Sequence, residues 1–94
     1  MQQSITLNIP YDLPQEDWGK ISSVYQTLDG WIEHAEWPSW YGNEGDDKYI
    51  VVSSEPSGLL FTAEVESSLW TTWVSVLCSR LTLALGREVR DAEM

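Results

Sequence analysis

The chain has 94 residues, with fifteen acids against five bases for a net charge of −10, and 43% of its residues are hydrophobic. A chain of this size supports one core, so it reads as a single domain over residues 1–94, with 1–3 and 87–94 expected to fray. The negative charge repels phosphate and anionic lipid, which argues against direct nucleic-acid or membrane binding and favours cationic partners.

From the N-terminus, Ile5, Leu7 and Ile9 alternate with Ser4, Thr6 and Asn8, the period of a half-buried strand over residues 4–9 that Pro10 ends. Pro14 suits the first turn of a helix, Glu16 and Asp17 suit its positive end, and Trp18, Ile21, Tyr25 and Leu28 recur at helical spacing. This predicts a helix over about residues 14–29 with Gly30 as its stop. Residues 31–41 give neither strand face a purely apolar pattern, and Pro38 points to an edge, a bulge or a break. The connector 42–47 is turn chemistry throughout. Tyr49, Ile50, Val51 and Val52 then read as a well-buried strand, Glu55-Pro56-Ser57-Gly58 as a type I turn, and the alternation of Leu59, Phe61, Ala63 and Val65 as the second strand of a hairpin.

Residues 68–86 form the longest apolar stretch. As a helix capped by Ser67 or Ser68 and ended by Gly86, its apolar side chains span an arc of roughly 200°, wider than one buried face needs. The helix is therefore expected to be covered on more than one side, by the domain itself or by a second copy in a homodimer. Arg80 falls inside that arc and is expected to pair with an acid from the sheet. The order β-α-β-β-β-α predicts an α+β two-layer sandwich, a mainly antiparallel sheet of three to four strands with both helices on one face.

Motifs for catalysis are missing: the chain has no GxSxG, CxxC, HExxH, P-loop or GxGxxG, so no catalytic residue, cofactor or metal is assigned. The lone cysteine, Cys78, borders the apolar arc and reads as a core thiol. With no disulfide and no leader-like start, the chain is expected to be cytoplasmic. A small metal-binding enzyme built on Glu33, His34, Glu36 and Asp46 is the least favoured function.

The charge is concentrated. Between Asp29 and Glu66 lie nine acids against Lys48 alone, interleaved with Trp31, Trp37, Trp40, Tyr41 and Tyr49. Large rings supply contact area and carboxylates steer basic partners, so Glu33, Glu36, Trp37, Trp40, Tyr41, Glu44, Asp46, Asp47, Glu64 and Glu66 are the candidate partner-binding residues. Trp40 and Tyr41, beside Pro38 and a polar turn, are expected to be the exposed rings, while Trp31 and Trp37 suit core and surface equally. In size, acidity and aromatic content the chain is similar to small bacterial immunity proteins, with no shared motif. The expected function is a small acidic protein-binding domain of immunity or inhibitor type that neutralises a basic partner such as a toxin or nuclease. The alternative is a homodimeric assembly module joined through the C-terminal helix.

Overall fold

The alternating segments pair as one sheet. In a computed structural model that describes residues 2–93, the elements are β1 (Gln2–Leu7), α1 (Gln15–Thr27), β2 (Ser39–Trp40), β3 (Tyr49–Glu55), β4 (Gly58–Glu64) and α2 (Ser67–Leu85). The four strands lie in the order β1-β4-β3-β2, each pair antiparallel. The expected hairpin closes at Glu55 opposite Gly58, around Pro56 and Ser57. Gly58 has φ 141°, and a Cβ there would run into the Leu7 carbonyl, so the crossing of β4 beside the end of β1 requires glycine.

Register and the two-residue period sort the side chains. Leu7 lies opposite Leu59, Ile5 and Val52 opposite Phe61, and Ile50 opposite both Ala63 and Trp40, so these residues share the inner face. Onto it pack Ile21, Val24 and Tyr25 of α1 and Trp73, Leu77 and Leu81 of α2, in one buried cluster. The centre is aromatic: the Trp40 ring lies 4.9 Å from Trp73 and 5.2 Å from Tyr25, both edge-on, and 6.1 Å from Phe61. Two indole N–H groups enter this core and both are satisfied, Trp40 donating to the Tyr25 carbonyl at 3.0 Å and Trp73 to the Asp29 carbonyl at 3.1 Å. Burying aromatic area without orphaning the N–H makes each ring stabilising rather than costly.

The helix ends follow the sequence in part. Pro14 precedes α1, Glu16 and Asp17 occupy its first turn, and Leu28 leaves it in extended conformation. At the other helix Gly86 ends α2 in the left-handed region, its N–H on the Thr82 carbonyl at 3.0 Å. The N-cap position of α2 falls to Glu66, with no side-chain cap bond, and Ser67 and Ser68 lie inside the helix.

Segment 31–41 behaves as Pro38 suggests: it contributes only the short edge strand β2 and an isolated bridge between Trp31 and Trp40, because Pro38 has no N–H to continue a ladder. Both ends of the chain are bonded to the sheet over the described residues. Gln2 and Gln3 belong to β1, while Val89 is buried, the Ala92 N–H reaches the Thr6 carbonyl at 2.7 Å, and the Asn8 N–H reaches the Arg90 carbonyl at 3.0 Å. The Asn8 side chain completes this contact, donating to the Glu88 carbonyl and accepting from the Arg90 N–H. Met1 and Met94, the outermost residues of the predicted tails, lie outside the described residues.

Candidate functional site

The turn that follows α1 is built around Tyr41. Both Gly30 (φ 88°) and Tyr41 (φ 70°) are left-handed, and they are joined by the Tyr41 N–H donating to the Gly30 carbonyl at 2.8 Å. A Cβ on Gly30 would lie 2.7 Å from the Tyr41 ring, so the ring fills the place a side chain would take. A non-glycine residue in this conformation costs about 1–3 kcal/mol, so the surrounding contacts must hold it. They are visible: the Tyr41 hydroxyl donates to Asp29 Oδ2 at 2.6 Å, and the Lys48 ammonium stands 4.6 Å from the ring centroid. Burial, then the neighbouring Asp29 carboxylate, push the phenol well above its ordinary range, so it stays a neutral donor. Asp29 is fixed at two points, its carboxylate by Tyr41 and its carbonyl by Trp73.

This turn forms one wall of a groove of about 770 Å³. Leu28, Asp29 and Tyr41 face a single stripe of α2, formed by Leu69, Thr72, Trp73, Val76 and Arg80, with Glu66 at the mouth. Leu69 and Arg80 are eleven helical steps apart, so the stripe runs roughly 16 Å. Glu66 and Leu69 also line an adjoining depression of about 460 Å³ with Asp47, Lys48 and Glu64, so the two depressions, together called the channel, meet at these two side chains. The channel therefore holds four carboxylates, Asp29, Asp47, Glu64 and Glu66, beside the apolar Leu28, Leu69, Trp73 and Val76, with Lys48 on one side and Arg80 at the far end. Its chemistry suits a cationic, partly apolar chain segment.

Arg80 does not meet an acid from the sheet, as its place in the apolar arc predicts. Its Nη1 donates to the Thr27 carbonyl at 2.9 Å and to Thr27 Oγ1 at 3.1 Å. The guanidinium thus serves an open carbonyl at the C-terminus of α1, where a cation is favoured by the helix dipole.

The ten candidate residues separate into groups. Tyr41, Asp47, Glu64 and Glu66 line the channel. Trp37 and Glu44 lie on the opposite, outer face of the sheet, beside Val51, Leu60 and Thr62 in a depression of about 470 Å³, with Trp37 53% exposed. Glu33 is exposed and accepts a bond from the Trp31 indole at 3.1 Å, and Glu36 is exposed on the same loop. Asp46 is engaged in its own turn, Oδ2 accepting from the Asn43 N–H at 2.7 Å. Trp40 is a correction: it is 0% exposed at the centre of the core and can touch no partner. The pairing of β2 with β3 sets it opposite Ile50, beneath α1, and this long-range register outweighs the polar turn beside it. The single acidic and aromatic surface expected from the sequence is thus two surfaces.

The channel also uses residues outside those ten: Asp29, Lys48, Leu69, Trp73 and Arg80. The signal for the helical ones was present, since 69, 73, 76 and 80 recur on one side of a helix. Among the described residues no three His, Cys, Asp or Glu side chains converge as metal ligands, so Glu33, His34, Glu36 and Asp46 form no cluster. Cys78 is half-buried, and burial, then the charge of Asp91, push its thiol up, which leaves little thiolate at neutral pH. Among the described residues no helix is long and apolar enough to cross a membrane. Comparison with family models, curated proteins and solved structures finds no significant match to this chain.

Proposed function

We propose that this chain is a small acidic protein-binding domain that receives a basic, partly apolar segment of another protein along the channel beside α2. The observation that carries the reading is the gathering of Asp29, Asp47, Glu64 and Glu66 around two adjoining depressions that share Glu66 and Leu69, one wall being held by the Tyr41 and Asp29 hydrogen bond. Carboxylates there accelerate encounter with a cationic surface, and Leu28, Leu69, Trp73 and Val76 supply the short-range attraction that keeps it bound. An immunity or inhibitor role against a basic toxin or nuclease in the cytoplasm is the concrete form of this reading.

The test is a titration with synthetic peptides that alternate arginine and leucine, followed by tryptophan fluorescence, because Trp73 lines the groove. Binding is expected to weaken steeply with added salt and to be lost in the Asp47→Lys/Glu66→Lys double variant. Binding that ignores salt, or survives that double change, sinks the proposal.

A further inference from the structure

We propose that a second site, the depression between α1 and the C-terminal half of α2, is where two copies of this chain pair about a two-fold axis. This inference does not rest on the channel reading. The depression, of about 840 Å³, is framed by Lys20, Ser23, Val24 and Thr27 of α1 and by Arg80, Leu83 and Ala84 of α2. At its rim Leu83 is 84% exposed, the most exposed large apolar side chain among the described residues. One exposed leucine is ordinary on a protein surface, so the argument lies in the charges around it.

The lining carries Lys20 and Arg80 and no acid, in a chain with three times as many acids as bases. Two bodies of charge −10 repel, and they can approach only where acid does not meet acid. This is such a place. Along α1 the lining residues Lys20, Val24 and Thr27 continue one turn back to Glu16, which contacts Lys20 at 3.8 Å. At the other end Arg80 is bonded to Thr27. One stripe therefore runs from the exposed Glu16 through Lys20, which also contacts Asp17 at 3.9 Å, past the nearly buried Val24 and the exposed Leu83 to the exposed Arg80, over roughly 16 Å of helix. A two-fold axis through its middle reverses the stripe, setting Glu16 of each copy towards Arg80 of the other and Leu83 against the apolar centre. An isologous interface needs this self-complementary pattern. The exposed Glu16 and Lys20 pair is weak enough to be exchanged.

Sedimentation velocity on the intact protein, over a range of concentrations and at low and high salt, tests the proposal. A monomer–dimer equilibrium is expected, strengthened by salt because screening relieves the repulsion between the two negative bodies. Leu83→Glu is expected to weaken the dimer at least about tenfold, as is Ser23→Glu in the middle of the α1 stripe, and circular dichroism of each variant checks that it folds. Glu16→Arg alone also weakens it, while Glu16→Arg with Arg80→Glu restores it by exchanging the ends of the stripe. A monomer under all conditions overturns the proposal and leaves the depression to a different protein. A dimer indifferent to Leu83→Glu and Ser23→Glu, or a charge exchange that fails to restore pairing, overturns it equally.

Discussion

The two halves of α2 border opposite chemical surroundings. Its first half, from Ser67 to Val76, runs with the preceding Glu66 past Asp29, Asp47 and Glu64, whereas its second half, around Arg80 to Ala84, runs past Lys20, Val24 and Thr27. Arg80 belongs to both depressions and marks the boundary. Both halves of α2 reach the core, through Trp73 in the first and Leu77 and Leu81 in the second. What differs is the neighbour: a loop rich in acids on one side and the side of α1 on the other. A single buried helix can thus serve two surfaces, because the residues that flank its core stripe are free to differ from end to end.

The comparison can be broken outright by loosening the core on which both halves pack. Trp73→Ala deletes the ring that packs on Trp40 and Phe61 and releases the Asp29 carbonyl. A loss of about 3–5 kcal/mol is expected in denaturant unfolding, with both surfaces impaired. Trp37→Ala is the control: 53% exposed on the outer face, it is expected to change stability by no more than about 0.5 kcal/mol. Next in size, Gly30→Ala forces a Cβ to within 2.7 Å of the Tyr41 ring at φ 88°. It should cost about 1–3 kcal/mol, reduce peptide binding in the channel and leave the dimer unaltered.

Salt sharpens the contrast without mutation. Going from about 0.05 M to about 0.5 M should weaken binding in the channel and strengthen self-association, opposite signs on one molecule. Arg80→Met removes the donor to Thr27 and is expected to lower stability by at most about 1 kcal/mol. The smallest effect is alkaline. Burial raises Tyr25, and burial with Asp29 raises Tyr41, so both keep their protons in the folded state when the unfolded chain has lost them. The unfolded state then binds fewer protons, and stability falls as pH rises above about 10. Tyr41→Phe should reduce the slope of that decline, read from urea unfolding at successive pH values.

Much of the fold was legible because its elements obey simple periods. Ile5 and Leu7, Leu59 to Ala63, and the spacing of Trp18, Ile21, Tyr25 and Leu28 each predicted the element that forms, and Gly86 marked an end that requires left-handed backbone, whereas α1 stops short of Gly30, at the extended Leu28. The site was less legible for a physical reason. Exposure of Trp37 and burial of Trp40 are decided by which strand pairs with Ser39 and Trp40, and three residues of local sequence carry no trace of that partner. Asp29 likewise looked like one more acid. Its importance comes from Tyr41 and Trp73, twelve and forty-four positions away. Arg80 was rightly singled out as needing a partner, but a helix end offered a carbonyl where a carboxylate was expected.

The tail beyond Gly86 lies along β1, bonding to Thr6 and Asn8 through Ala92 and Arg90. It acts as a partial fifth strand, occupying backbone donors and acceptors that an outermost strand would otherwise offer to any passing chain. β1 carries no charge and no proline of its own to discourage such pairing. Trimming residues 88–93 would leave the core residues of the helices in place yet turn this border into a template for aggregation.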